Sequence, residues 1–413
     1  MGTRISKLGI RKVFTGRGDL TVEVEVHLED GWGRAIAPAG ASRGKHEVKY
    51  FPDDGVDAAI DVFKRWVEPS LIGMDAVNQV AVDKKLEEVD GTWDFSKIGG
   101  AVAVATSMAN VVAVADSKGL WPYQVIGGSL ANVIPYPLGN TIGGGKHSRG
   151  LGPDYQEFLI LPYGAPDIYT AVYTNMEVHR EVGKILAKED PTFAGGRNDE
   201  GAWTAKISTD KALEVLSSAV KEVSRRLGVE IGLGIDAASS SMWNGKAYVY
   251  TNEGRELTPK EHFERIRGII EKYNLMYVED PFHEEDFQSF AELTALFKDR
   301  LIVGDDLFTT NPDRLAIGIR EKAANAVLIK VDQIGTVTRA HETVRLALNN
   351  GYRIVVSHRS GDTESGLLAH IAVGFKAPII KTGIMGSERV AKANELLRIW
   401  DHLGGVARMA KIK

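Results

Sequence analysis

The sequence predicts a parallel α/β barrel, TIM-like, behind a smaller α+β segment. Two observations predict it. First, residues 229–383 repeat an apolar strand followed by a helical pattern. Second, five successive strands end at Glu279, Asp305, Lys330, His358 and Lys381, with steps of 26, 25, 28 and 23 residues. A strand, a helix and two loops need about that much chain. A doubly wound open sheet is the alternative, but no G-x-G-x-x-G follows a strand.

The early chain has another rhythm. Residues 20–28 (LTVEVEVHL) alternate as a strand with one buried face. Val56, Ala59, Ile60, Phe63 and Val67 keep helical spacing. Residues 101–118 are small and apolar, which predicts a tightly packed helix. Residues 134–140 (IPYPLGN) hold two prolines and a glycine, so a boundary is expected nearby. This divides the chain into residues 1–130 and 131–413.

Then the repeats begin. Leu213, Leu216, Val220, Val223 and Leu227 form one helical face that stops at Gly228, and residues 229–236 are a strand. Thr258, Pro259 and Glu261 form a capping box, with proline in the first turn. That helix leads to the strand at 275–280, and a helix near 286–298 leads to the strand at 301–306. Asn311-Pro312 starts the helix that leads to residues 326–331. A helix from about 337 ends near Gly351 before residues 353–358, and one near 365–376 precedes residues 378–383.

Composition narrows the function. The chain has 413 residues, 44% of them hydrophobic, and no cysteine. Disulfides, thiolate metal sites and cysteine nucleophiles are excluded. The formal net charge of −5, with no long Lys/Arg block, argues against a nucleic-acid partner. No run of 18 uncharged apolar residues predicts a membrane span, and the N-terminus lacks a signal-peptide pattern. A cytoplasmic enzyme is expected.

Each late strand ends in an ionisable residue: Asp236, Glu279, Asp305, Lys330, His358 and Lys381. A single strand-end acid is ordinarily a helix cap. Six in register converge on the C-terminal face of a barrel, where barrel active sites lie. Three acids at one point repel each other, and a divalent cation removes the conflict. Oxygen donors without Cys favour Mg²⁺, which leaves positions open for a ligand. A lysine near a metal and a second lysine is expected to have its ammonium form disfavoured, so that it can act as a base. The alternative is that Lys330 and Lys381 only pair with the acids. A metal facing a lysine base suits removal of a proton next to a carboxylate.

The residues VEDPF (278–282), VGDDL (303–307), IKVDQIGT (329–336), SHRSGDTES (357–365) and IKTG (380–383) resemble the motifs of the enolase family in order and spacing. RGDLTVEVEV (17–26) and GLWPYQVIGG (119–128) resemble its N-terminal capping domain. The resemblance implies an enolase-type barrel and reversible dehydration of 2-phosphoglycerate, a small phosphorylated carboxylate, to phosphoenolpyruvate. It implies that Asp236, Glu279 and Asp305 hold one firm Mg²⁺ and that Lys330 removes the C2 proton. It assigns the substrate carboxylate to Lys381, the phosphate to Arg359 and Ser360, and a supporting role to His358. GGGKH (143–147), YQEF (155–158) and NDEG (198–201) resemble its acid segments. Glu200 is then the acid for the C3 hydroxyl, with Gln156, Glu157 and His147 lining the pocket. AGASRG (39–44) resembles the loop that closes over substrate and helps hold a second Mg²⁺.

Ala39 stands where the family has a metal-ligating serine, and Arg43 where it has threonine. The Ala39 carbonyl is expected to remain available, with a weaker second site. Gly139, Gly143, Asp362 and Ser365 also depart from the pattern. These departures keep two alternatives open: enolisation of another carboxylate, or a non-enzymatic binding protein. The resemblance further implies a homodimer or a dimer-based assembly.

Overall fold

The computed structural model describes residues 2–40, 44–148 and 152–412; the side chains of residues 146 and 147 also lie outside the described set. The chain opens with strands β1 (Ile5–Phe14), β2 (Leu20–Leu28) and β3 (Gly31–Ile36), joined as an antiparallel sheet. The alternation read in residues 20–28 seats Val22, Val24 and Val26 in the core. Helices α1 (Gly55–Val62), α2 (Gln79–Asp90) and α3 (Gly100–Lys118) follow. The helical spacing up to Val67 continues past α1 as a π turn over Phe63–Val67.

Helix α3 is buried along nearly its whole length, as its small residues allow. Gly33 on β3 permits this approach, since a Cβ there would lie 2.2 Å from the Ala113 nitrogen. By length and composition α3 could cross a membrane, but 89% of its apolar window is buried inside the protein.

Eight strands close into a barrel: β4 (Tyr136–Gly143), β5 (Glu157–Leu161), β6 (Gly232–Asp236), β7 (Tyr277–Glu279), β8 (Leu301–Gly304), β9 (Ala326–Ile329), β10 (Arg353–Ser357) and β11 (Ile379–Lys381). The helices are α4 (Ile168–Glu189), α5 (Thr209–Leu227), α6 (Pro259–Tyr273), α7 (Phe287–Leu296), α8 (Pro312–Glu321), α9 (Val337–Asn349), α10 (Leu367–Gly374) and α11 (Ser387–Leu403). Helices and barrel interior cover both faces of the strands, so β9 is buried at all four positions. The capping box read at Thr258 opens α6: Thr258 Oγ1 accepts the Glu261 N–H, and Glu261 accepts the Thr258 N–H.

The expectation of a wholly parallel barrel needs one correction. Strand β5 runs antiparallel to both neighbours, β4 and β6. The seven others run together, so the mouth is lined by seven strand ends and one strand start. Around the ring the order is β7-β8-β9-β10-β11-β4-β5-β6. Strands four places apart face each other, which sets β9 opposite β5 and β7 opposite β11.

The sheet segment docks on the barrel through polar contacts at the start of α9. Asp83 Oδ2 accepts the Thr338 N–H at 3.0 Å, and Ser107 Oγ accepts the Val337 N–H at 3.0 Å. Both satisfy helix N–H groups that lack an intrahelical partner.

Candidate active site

One pocket at the barrel mouth is lined by Gln156, Glu157, Glu200, Asp236, Asp305, Lys330, His358, Arg359, Ser360 and Lys381, with Gly40, Glu47, Asp280 and Asp306 among their neighbours. Residues far apart in sequence meet here because most sit at or just beyond the mouth end of a strand, with Glu200 and Glu47 brought in by loops. Glu279 lies beneath them, fully buried, in register with Asp236.

Lys381 gathers the first acids. Its Nζ lies 3.1 Å from Asp236, 2.8 Å from Glu279 and 3.1 Å from Glu157. Asp236 and Glu279 therefore aim at one point. Asp236 Oδ1 also accepts the Ala238 N–H, and Gln156 Nε2 donates to Asp236 Oδ2 at 3.3 Å. Asp305 accepts from Lys330 Nζ and, at 2.9 Å, from Gln333 Nε2.

Asp280 was missed by sequence reasoning. Its backbone takes a left-handed turn, φ +40°, directly after Glu279. Its carboxylate accepts the N–H groups of Asp305 and Asp306 at 2.9 and 2.7 Å, tying the ends of β7 and β8 together. Asp280, Asp305 and Asp306 place carboxylate oxygens within 4.8 Å of one another. That group shares only Asp305 with the predicted metal set.

The donor chemistry fits a hard divalent cation. The pocket lining carries seven carboxylates against three basic side chains, Lys330, Arg359 and Lys381. Burial, then Asp236 and Asp305, push Glu279 up to about 8. Positive charge is in deficit at the predicted ligands, and the donors are all oxygen.

The lysines differ from expectation. Burial opposes the Lys330 ammonium, but Asp305 outweighs it and holds the group above its ordinary range. Burial opposes the charge of Lys381 too, yet Asp236, Glu157 and Glu279 hold it well above. The ammonium forms are thus favoured here, because each lysine lies against carboxylates rather than against a cation.

Two further carboxyls, Glu157 and Glu200, lie across the barrel from Lys330. Glu157 starts β5, and Glu200 sits nearby, accepting from Asn140 Nδ2 at 3.2 Å. Burial, then the Glu200 charge, push Glu157 well above the ordinary carboxylate range, with Lys381 opposing. The protonated form is favoured at this wall. The His147 side chain lies outside the described residues.

Arg359 is not an open fork. It donates to Glu47 with three hydrogen bonds of 3.0 to 3.2 Å and to Asp332 at 2.8 Å. Glu47 and Asp332 were both missed, although Glu47 lies just beyond the glycine-rich loop. That loop is described to Gly40 and again from Gly44, so Arg43 lies outside the described residues. Ala39 and Gly361 exchange backbone hydrogen bonds of 2.8 Å in both directions. The Ala39 carbonyl thus accepts one backbone hydrogen bond, and its second lone pair is the one a ligand would use.

Comparisons with known proteins agree with this geometry. A family model described as "Enolase, C-terminal TIM barrel domain" matches residues 131–413, and "Enolase, N-terminal domain" matches residues 5–126. A protein named enolase from Pyrobaculum aerophilum is 61% identical, with 99% of each chain covered. Enolases from Methanothermobacter thermautotrophicus and Methanosphaera stadtmanae are 48% and 47% identical, covering 100% and 98% of each chain. With both family models matched in order and this identity along the full chain, the protein belongs to the enolase family.

Proposed function

We propose that this site interconverts 2-phosphoglycerate and phosphoenolpyruvate by removing a proton at C2 and the hydroxyl at C3. The observation that carries the reading is the placement of Lys330 and the Glu157–Glu200 pair on opposite walls of one pocket. A substrate between them meets a base on one face and an acid on the other.

Lys330, as the free amine, takes the C2 proton on Nζ. The electron pair left at C2 is first delocalised into the carboxylate as an enediolate; in a second step it forms the C2–C3 double bond as the C3–O bond breaks. Glu200 gives its proton to the departing hydroxyl, which leaves as water. A positioned acid or base is worth about 10²–10⁴-fold in such steps. Glu157 and Gln156 line the acid wall, with His147 assigned beside them and His358 as a supporting donor. Lys381 holds the substrate carboxylate, and Arg359 with Ser360 takes the phosphate, a fit for a guanidinium fork.

Asp236, Glu279 and Asp305 would hold Mg²⁺, with a weaker second ion near Ala39. Magnesium, when bound, supplies positive charge to the substrate carboxylate oxygens and neutralises the acids that otherwise keep the lysines protonated. The excess of carboxylates in the lining supports this assignment.

We also infer a capping segment over residues 1–130, a homodimeric assembly and a cytoplasmic setting from the family resemblance. The test of the activity is the ultraviolet absorbance of the enol product on mixing protein, 2-phosphoglycerate and Mg²⁺. Robust turnover supports the reading. No turnover, with Mg²⁺-dependent binding of another carboxylate, overturns it in favour of a different enolisation.

A further inference from the structure

We propose that Arg389 is a positioning residue for the acid side of the pocket: it fixes His358 as the Nε2–H tautomer and ties the 358–360 segment to the Asp199–Glu200 segment. The inference rests on the dehydration reading for its kinetic consequence, but its geometry stands apart from it.

Arg389 lies in the first turn of α11 and its side chain is wholly buried. A buried guanidinium carries five N–H donors and no acceptor; the four on Nη1 and Nη2 are paired, while Nε finds no hydrogen-bond partner among the described residues. Two bonds run from Nη1, to His358 Nδ1 and to the Arg359 carbonyl, each at 2.7 Å. Two run from Nη2, to the Ser360 carbonyl at 2.6 Å and the Asp199 carbonyl at 3.0 Å. The nearest carboxylates are farther, Glu388 at 3.7 Å and Asp362 at 4.0 Å. A residue placed only for an ion pair would take a carboxylate. This one takes three main-chain carbonyls and one ring nitrogen, all in the two segments that carry His358 and Glu200.

The ring bond sets the tautomer. Arginine cannot accept, so Nδ1 must offer its lone pair. A neutral imidazole then carries its proton on Nε2. The His358 main chain is pinned as well, its N–H donating to the Lys381 carbonyl at 3.0 Å. His358 lines the same pocket as Glu200, and with Nδ1 taken its remaining polar group is the Nε2–H donor. Burial and the Arg389 charge both favour the neutral ring.

The acid segment seats against the chain that leads into α11. A Cβ at Gly201 would lie 1.8 Å from the Met385 carbonyl oxygen, so only glycine permits the seating. Asn198 Oδ1 accepts the Glu200 N–H at 3.0 Å, closing the turn from within. One step along the same helix face, Lys392 pairs with Asp362 at 2.7 Å and steadies the far end of the 358–363 segment. The start of α11 is thus a cationic buttress under two loops.

The test has two parts. Nitrogen NMR of the histidines in the unaltered protein reads the His358 tautomer without any substitution; Nε2–H is expected, and an Nδ1–H or doubly protonated ring overturns the proposal. In R389K, at saturating 2-phosphoglycerate and Mg²⁺, dehydration is expected to fall about 30-fold while C2 hydrogen exchange in heavy water falls less than about threefold. Equal loss of both reactions overturns the positioning role. If R389K does not fold, the tautomer in the unaltered protein alone decides. Absence of any turnover in the unaltered protein counts against the dehydration reading, whereas the tautomer is still read.

Discussion

Glu157 and Asp236 are direct partners across two antiparallel strands, the first opening β5 and the second closing β6. Reversal of that single strand brings a carboxyl to the mouth from a strand start. The closed ring sets Glu157 on the wall facing Lys330, with three strands between them on either side. Base and acid should therefore be separable. Lys330→Ala is expected to abolish hydrogen exchange at C2. Glu200→Gln should retain exchange but lose dehydration by about 10²–10⁴-fold. Exchange followed by NMR in heavy water, beside turnover, checks this; equal loss in Glu200→Gln sinks the division of labour.

Glu47 and Asp332 together over-neutralise Arg359. If Arg359 receives the phosphate, Glu47 competes with it. Glu47→Gln should then tighten inorganic phosphate binding to the metal-free protein by about tenfold, equivalent to ~1.4 kcal/mol. Calorimetry measures it directly. Unchanged or weaker binding would place phosphate recognition elsewhere.

Ala39, held by its backbone bridge to Gly361, would offer a second cation no side-chain oxygen. Ala39→Ser adds one hard oxygen donor beside the bridge. The Mg²⁺ concentration for half-maximal activity is expected to drop severalfold, with the first site unaffected. A titration with an unchanged midpoint removes Ala39 from the metal assignment.

Asp83 couples docking of the sheet segment to pH. Burial pushes its carboxyl up to about 6, from an ordinary 3.8, although Thr338 and Ser107 favour the charged form. The folded protein holds this proton more tightly than the unfolded chain does. Its contribution to stability is thus greatest below about pH 4 and declines as pH rises to about 6, by on the order of 3 kcal/mol. Asp83→Asn should flatten the stability profile between those pH values in denaturant titrations. A slope that persists in the variant assigns the effect to another group.

The strand-end spacing from Glu279 to Lys381 made the barrel legible, because parallel strands separated by helices repeat at a nearly fixed chain length. Strand-end position named Asp236, Glu279, Asp305 and Lys330, since strand ends of a parallel barrel share one face. The reversal of β5 was not legible: four apolar residues after Glu157, in a strand buried at every position, carry no mark of strand direction. Nor were Glu47 and Arg389. Glu47 meets Arg359 across 312 residues, and Arg389 meets His358 from a helix that belongs to the next repeat.

By itself, then, the sequence determined which residues bear charge at the end of each strand, and so the chemistry on offer. Tertiary structure alone decided who neutralises whom. Closure of the barrel sets Lys381 among three carboxylates and Lys330 against Asp305, and Coulomb energy in a buried site depends on those separations, not on distance along the chain.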